Sequence, residues 1–201
     1  MMLEYTNRAG KTYYLRESVT KTGKPRYFFS QKIEGKGEPV ELLPEGREIY
    51  ERVEDGQVFL RKQQAKHFLE EETALIENRL ATKPMPFRYL HQENDKYLTI
   101  YETNLASALC NGGNDLMSHS ISPFKKTEDV AAQLVSTGGF TAVLRFHRDD
   151  LESKQCTVER FCFLGRIDDW ICINGSDSFK KLAEKYIRLL GTDEFYNPLY
   201  G

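Results

Sequence analysis

In the first 61 residues, apolar positions recur with a period of two. In KTYYLRES, Tyr13 and Leu15 fall on one side and Tyr14 and Arg16 on the other. In PRYFFSQK, Tyr27 and Phe29 oppose Arg26, Phe28 and Lys32. REIYERV sets Ile49 and Val53 against Tyr50 and Arg52, and QVFLR sets Val58 and Leu60 against Phe59 and Arg61. Side chains alternate across a strand. Each segment therefore predicts a strand with one apolar face and one face that pairs an aromatic with an arginine. Strands are expected at 2–6, 11–18, 25–32, 39–43, 47–53 and 57–61. Glycine-containing turns such as Glu54-Asp55-Gly56 separate them, which makes the segment an antiparallel meander.

At residue 62 the period lengthens. Ala65, Phe68, Leu69, Leu75, Ile76 and Leu80 share a helical stripe, so a helix is expected over 62–81, with Glu70-Glu71-Glu72 on a solvated face. Pro84 and Pro86 stop it, and the expected division is a β module with its helix at 1–83 and an α+β module at 87–201. In the second module, FRYLHQ and KYLTIYET flank a turn at Glu93-Asn94-Asp95. A long irregular stretch, 104–126, follows, and Thr127 caps a short helix running to about Val135. FTAVLRFHR, CTVERFCFLG and DWICI read as three strands, the middle one central because it is apolar on both faces. A last helix, about 178–190, buries Phe179, Leu182, Ala183, Tyr186, Ile187 and Leu190 and ends at Gly191, and the aromatic tail packs back. The fold class is α+β: an N-terminal antiparallel meander and a helix, then an antiparallel sheet with two or three helices.

Composition narrows the function classes. The 201 residues carry a net charge of −2, which gives no global attraction to nucleic acid or to a membrane surface. The charge is uneven, however: residues 1–33 hold seven basic residues against two acids, and residues 84–201 hold 13 against 16. No apolar run has the length of a membrane span, and the N-terminus lacks a secretory pattern, so a cytoplasmic location is expected. The four cysteines, Cys110, Cys156, Cys162 and Cys172, are expected reduced, with Cys162 and Cys172 facing each other across a hairpin.

Three constellations bear on chemistry. The aromatic and basic positions Tyr14, Arg16, Arg26, Phe28, Lys32, Tyr50, Arg52, Phe59 and Arg61 are the candidate binding face. Stacking rings interleaved with cations suit a single-stranded nucleic acid, and the same surface suits a protein partner. Cys110 and His119 in the 104–126 stretch are a candidate nucleophile and base for a small hydrolase or transferase. The acid pairs Asp149-Asp150 and Asp168-Asp169 belong to turns at opposite ends of the sheet and read as structural. The histidines and cysteines lack the close pairing that zinc sites use, and no glycine motif for a nucleotide is present, so neither a metal nor a cofactor is expected. The expected function is that of a cytosolic, non-catalytic binding or adaptor protein. It would act through the N-terminal module and the 104–126 loop on a protein partner or on itself, with nucleic-acid binding and Cys/His catalysis as the alternatives.

Overall fold

In the computed structural model, the alternating segments of the N-terminal region pair as antiparallel strands. The structure describes residues 2–103, 135, 139–163 and 168–196. Strands β1 (Glu4–Thr6), β2 (Thr12–Val19) and β3 (Pro25–Ser30) lie side by side, and β4 (Glu38–Pro39) continues the edge that β1 begins, pairing with Arg16 and Glu17 of β2. A separate hairpin, β5 (Arg47–Glu51) and β6 (Val58–Lys62), turns through Glu54-Asp55-Gly56. The hairpin is tied to the β1–β2 turn. Glu51 accepts hydrogen bonds from the Tyr5 hydroxyl at 2.9 Å and the Arg8 amide at 3.2 Å, and Asn7 Nδ2 donates to the Gly56 carbonyl at 2.7 Å. Leu15, Val53 and Val58, all from the apolar faces, are buried. The expected strand 39–43 is only the two residues of β4. Leu42 and Leu43 beyond it are exposed and lie outside any strand of the described residues.

The chain divides between Gln63 and Gln64. This places the helix with the second unit, whereas the sequence grouped it with the first. The reason lies in residues 64–69, which do not join the helix. The amides of His67 and Phe68 both donate to Glu93 Oε1, at 2.7 and 3.3 Å, and the Asp95 amide donates to Gln64 Oε1 at 2.9 Å. A backbone held this way is not available for a helical turn. Helix α1 therefore runs over Glu70–Ala81, eight residues shorter at its start than the stripe suggests. The three glutamates occupy its first turn, where they complement the helix dipole, and Glu72 accepts the Leu69 amide at 2.9 Å.

The second unit is a five-stranded antiparallel sheet in the order β11-β10-β9-β8-β7, from β7 (Tyr89–Asn94), β8 (Tyr97–Thr103), β9 (Phe140–His147), β10 (Gln155–Phe163) and β11 (Asp168–Ser178). The central strand is β9, and β10 is next to the edge. One face of the sheet carries Leu98, Ile100, Leu144, Phe146 and Val158, which meet Ile76 and Leu80 of α1 and the apolar side of α2 (Phe179–Leu189). All six helix residues expected in the core are buried. Gly191 ends α2 with a φ of 77°, and a Cβ there would lie 2.8 Å from the Tyr89 hydroxyl. The short helix α3 (Asp193–Tyr196) returns Phe195 to the core. Cys162 pairs with Asp169 and Cys172 with Glu159, so the two cysteines do not face each other, because the hairpin register offsets them. The 104–126 stretch and, apart from Val135, the expected 127–135 helix lie outside the described residues. No helix among the described residues is long and apolar enough to cross a membrane.

Candidate binding site

The hairpin β5–β6 does carry the expected aromatic and arginine face, and its register orders it. Tyr50 lies opposite Phe59 and Glu48 opposite Arg61. The Arg61 guanidinium sits 4.0 Å from the Tyr50 ring centroid, and that of Arg52 sits 5.4 Å from Phe59. Each cation also has an acid. Arg61 Nε donates to Glu48 at 2.7 Å; Arg52 Nε donates to Asp55 at 2.8 Å and its Nη2 to Gln57 at 3.1 Å. The hydrogen bond from Arg52 pulls the Asp55 carboxyl below its usual range. Ring faces capped by guanidinium groups, and guanidinium groups answered by carboxylates, leave little to stack a base or hold a phosphate.

On β2 and β3 the same parity puts Tyr14, Arg16, Arg26 and Phe28 on one face, with Arg16 directly opposite Phe28. Arg16 is only 5% exposed. Its guanidinium turns into the 31–37 loop, where it donates to the carbonyls of Gly35 at 3.1 Å, Gly37 at 2.6 Å and Ile33. Gly37 packs against β2 so closely that a Cβ would lie 2.5 Å from the Glu17 carbonyl oxygen. Arg16 therefore shapes the loop from within and is not presented to a ligand. Lys32 lies beyond the end of β3, which stops at Ser30, and is exposed without sharing the strand's alternation.

What the fold does bring together is a groove of about 440 Å³ lined by β3 and β6, with Tyr13 of β2. Arg26, Phe28 and Phe59 come to it from the predicted face. Tyr13, Tyr27 and Phe29 come from the face read as core. In a unit with so few buried residues the inner face is not sealed, and three aromatic residues stay half-buried at its mouth. Their excess over aliphatic residues on that face was the one signal in the sequence. Gln31 donates to the Tyr13 hydroxyl at 3.0 Å and fixes that ring. Arg26 lines the groove, and Lys21 and Lys24 in the β2–β3 turn and Lys32 just past β3 are exposed; none of the four has an acid in salt-bridge reach among the described residues. Of the nine predicted residues, then, three line the groove, Lys32 lies just beyond β3, Arg16 is internal, Tyr14 is half-buried on the face of Arg26 and Phe28 but outside the groove, and Tyr50, Arg52 and Arg61 form the self-paired ladder.

The second unit has two polar constellations of its own. On the sheet face away from the helices, the Arg145 guanidinium lies between the rings of Tyr97 and Trp170, at 4.2 and 4.1 Å, and pairs with Glu159. At one end of the sheet, Arg88 pairs with the buried Glu102, which also accepts the Tyr196 hydroxyl at 3.4 Å, beside a cavity of about 260 Å³. Burial, reinforced by Glu102, pushes the Tyr89 phenol up to about 12. Both are neutralised pairs, carboxylate with guanidinium. Asp149 pairs with Lys96 at 2.9 Å, and the Asp169 carboxylate takes the neighbouring Trp170 amide at 2.7 Å, both as structural aspartates do. Among the described residues no group of three or more His, Cys, Asp or Glu side chains converges as metal ligands. Cys110 and His119 lie outside the described residues. Comparison with family models, with curated proteins and with solved structures returns no match for this chain.

Proposed function

We propose that the chain is a non-catalytic binding protein whose N-terminal unit takes an extended peptide segment, apolar with acidic neighbours, in the groove between β3 and β6. The observation that carries this reading is the groove's lining: Tyr13, Tyr27, Phe28, Phe29 and Phe59 with Arg26 at the rim. Aromatic-lined grooves recognise extended peptides because rigid rings offer large contact area at little entropic cost. The exposed cations Lys21, Lys24, Arg26 and Lys32 lie along the hairpin that forms one wall, and they complement acidic side chains on the ligand. The nucleic-acid alternative loses support from the same residues, since Arg16, Arg52 and Arg61 are spent on internal partners.

Selection from a random peptide library on the full chain tests the reading. The expected result is a family of sequences joining apolar and acidic residues, with binding weakened about tenfold by Phe28→Ser and by Arg26→Glu. A selected family indifferent to both substitutions would refute the groove. Binding of a single-stranded oligonucleotide that Arg26→Ala abolishes would favour the nucleic-acid alternative.

A further inference from the structure

We propose that strand β11 is a self-association edge, through which two copies of the chain join their five-stranded sheets into one. This inference stands apart from the groove. β11 is the longest strand described, Asp168–Ser178, and among the described residues it borders the sheet with β10 as its one strand neighbour. The opposite border is not equivalent: residues 64–69 run beside β7 and are bonded to it through Glu93 and Asp95. Exposed strand edges present unpaired backbone groups, and proteins blunt them with proline, lysine, bulges or cover. The stretch Trp170–Ser176 of β11 carries no proline and no charge. Asp168 to Cys172 pairs with β10 without a register shift, and the nearest irregularity falls between Cys172 and Asn174. Ile171 is 37% exposed, and Phe163, on the neighbouring strand, is 57% exposed.

A second copy of the same edge is the occupant the pattern fits. Antiparallel pairing about a two-fold axis near Ile171 sets each Trp170 opposite a Cys172. It sets Asp169 opposite Ile173 and Asp168 opposite Asn174, so no acid faces an acid. Like charges directly opposite would destabilise the pair, and this register avoids them. Because the same edge of each copy takes part, the contact is isologous and closes as a dimer. The exposed side chains of Phe163 and Ile171 flank the new strand pair and supply apolar area, beside the half-buried Trp170.

Sedimentation velocity on the full chain over a wide concentration range tests this. A monomer–dimer equilibrium is expected, with a shift of Trp170 emission as dimer forms, since Trp170 is the only tryptophan. Ile171→Lys should raise the dimer dissociation constant about tenfold or more, while Val19→Lys, an exposed site in the other unit, leaves it unchanged. Hydrogen exchange needs no variant: amides of β11 should gain protection with concentration while those of β7 do not. A chain that stays monomeric throughout, a dimer indifferent to Ile171→Lys, or protection gained elsewhere would overturn the proposal.

Discussion

Arg148 shows how a single side chain organises its surroundings. It is almost fully buried and binds Glu72 through two nitrogens, at 2.8 and 2.6 Å, while also donating to the His67 carbonyl at 3.1 Å and Cys156 Sγ at 3.2 Å. Its guanidinium lies 5.0 Å from the Phe68 ring. This one group thus holds the start of α1 and the extended segment before it against β9. Removing one partner strands a buried charge, so Arg148→Ala or Glu72→Ala should destabilise the second unit by about 3–5 kcal/mol in denaturant titration. A loss below 1 kcal/mol, as for an exposed pair, would contradict this. His91 is a second residue-scale case. Burial lowers its pKa, partly offset by Glu77 at 3.5 Å. The folded state therefore binds its proton less readily than the unfolded state. The neutral imidazole's contribution is fully present above the unfolded value near 6.5 and is lost as pH falls through the folded one. His91→Gln should flatten that part of a stability–pH curve measured by urea titration; an unchanged slope below pH 6.5 would rule it out. Sequence could not supply either account. It presented Arg148 and His91 as single polar residues on or beside strands, and their burial depends on chain segments far away in sequence.

At the level of elements, periodicity located strands and helices well where neighbouring residues decide the outcome. Helix α2 is an example: its buried stripe and its stop at Gly191 are both local properties. Helix α1 is the counterexample. Its stripe over 62–81 is real, but Phe68 reaches the core from an extended backbone because Glu93 captures the amides around it. Face parity was likewise legible on β2, β3, β5 and β6, while the fate of each arginine was not. Arg16 binds carbonyls 17 to 21 residues ahead, and no pattern of polarity announces that. Arg16→Ala should release the 31–37 loop, visible as faster hydrogen exchange there. Unchanged exchange would show that the loop is held by other means. Gly37→Ala acts on the same element, since its φ of 86° and the Glu17 carbonyl both oppose a side chain. It should lower the melting temperature.

For the whole molecule, charge is distributed by region and not by sum. A chain of net charge −2 carries an excess of cations in its first 33 residues, and half of the residues that line the groove in the same unit are aromatic. The groove itself was half legible: Arg26, Phe28 and Phe59 stood out as candidates, whereas Tyr13, Tyr27 and Phe29 read as core but are half-buried and line it. If the cations steer an acidic ligand, raising the salt concentration should slow association more than it speeds dissociation, measurable by stopped flow. The central claim, that this groove is where a partner binds, is tested most directly by titrating a library-selected peptide into isotopically labelled full-length protein and following backbone amides by NMR. The account predicts that the shifted and broadened amides cluster at residues 26–31 and 57–60. Shifts centred on the Tyr50, Arg52 and Arg61 face, or on the second unit, would contradict it.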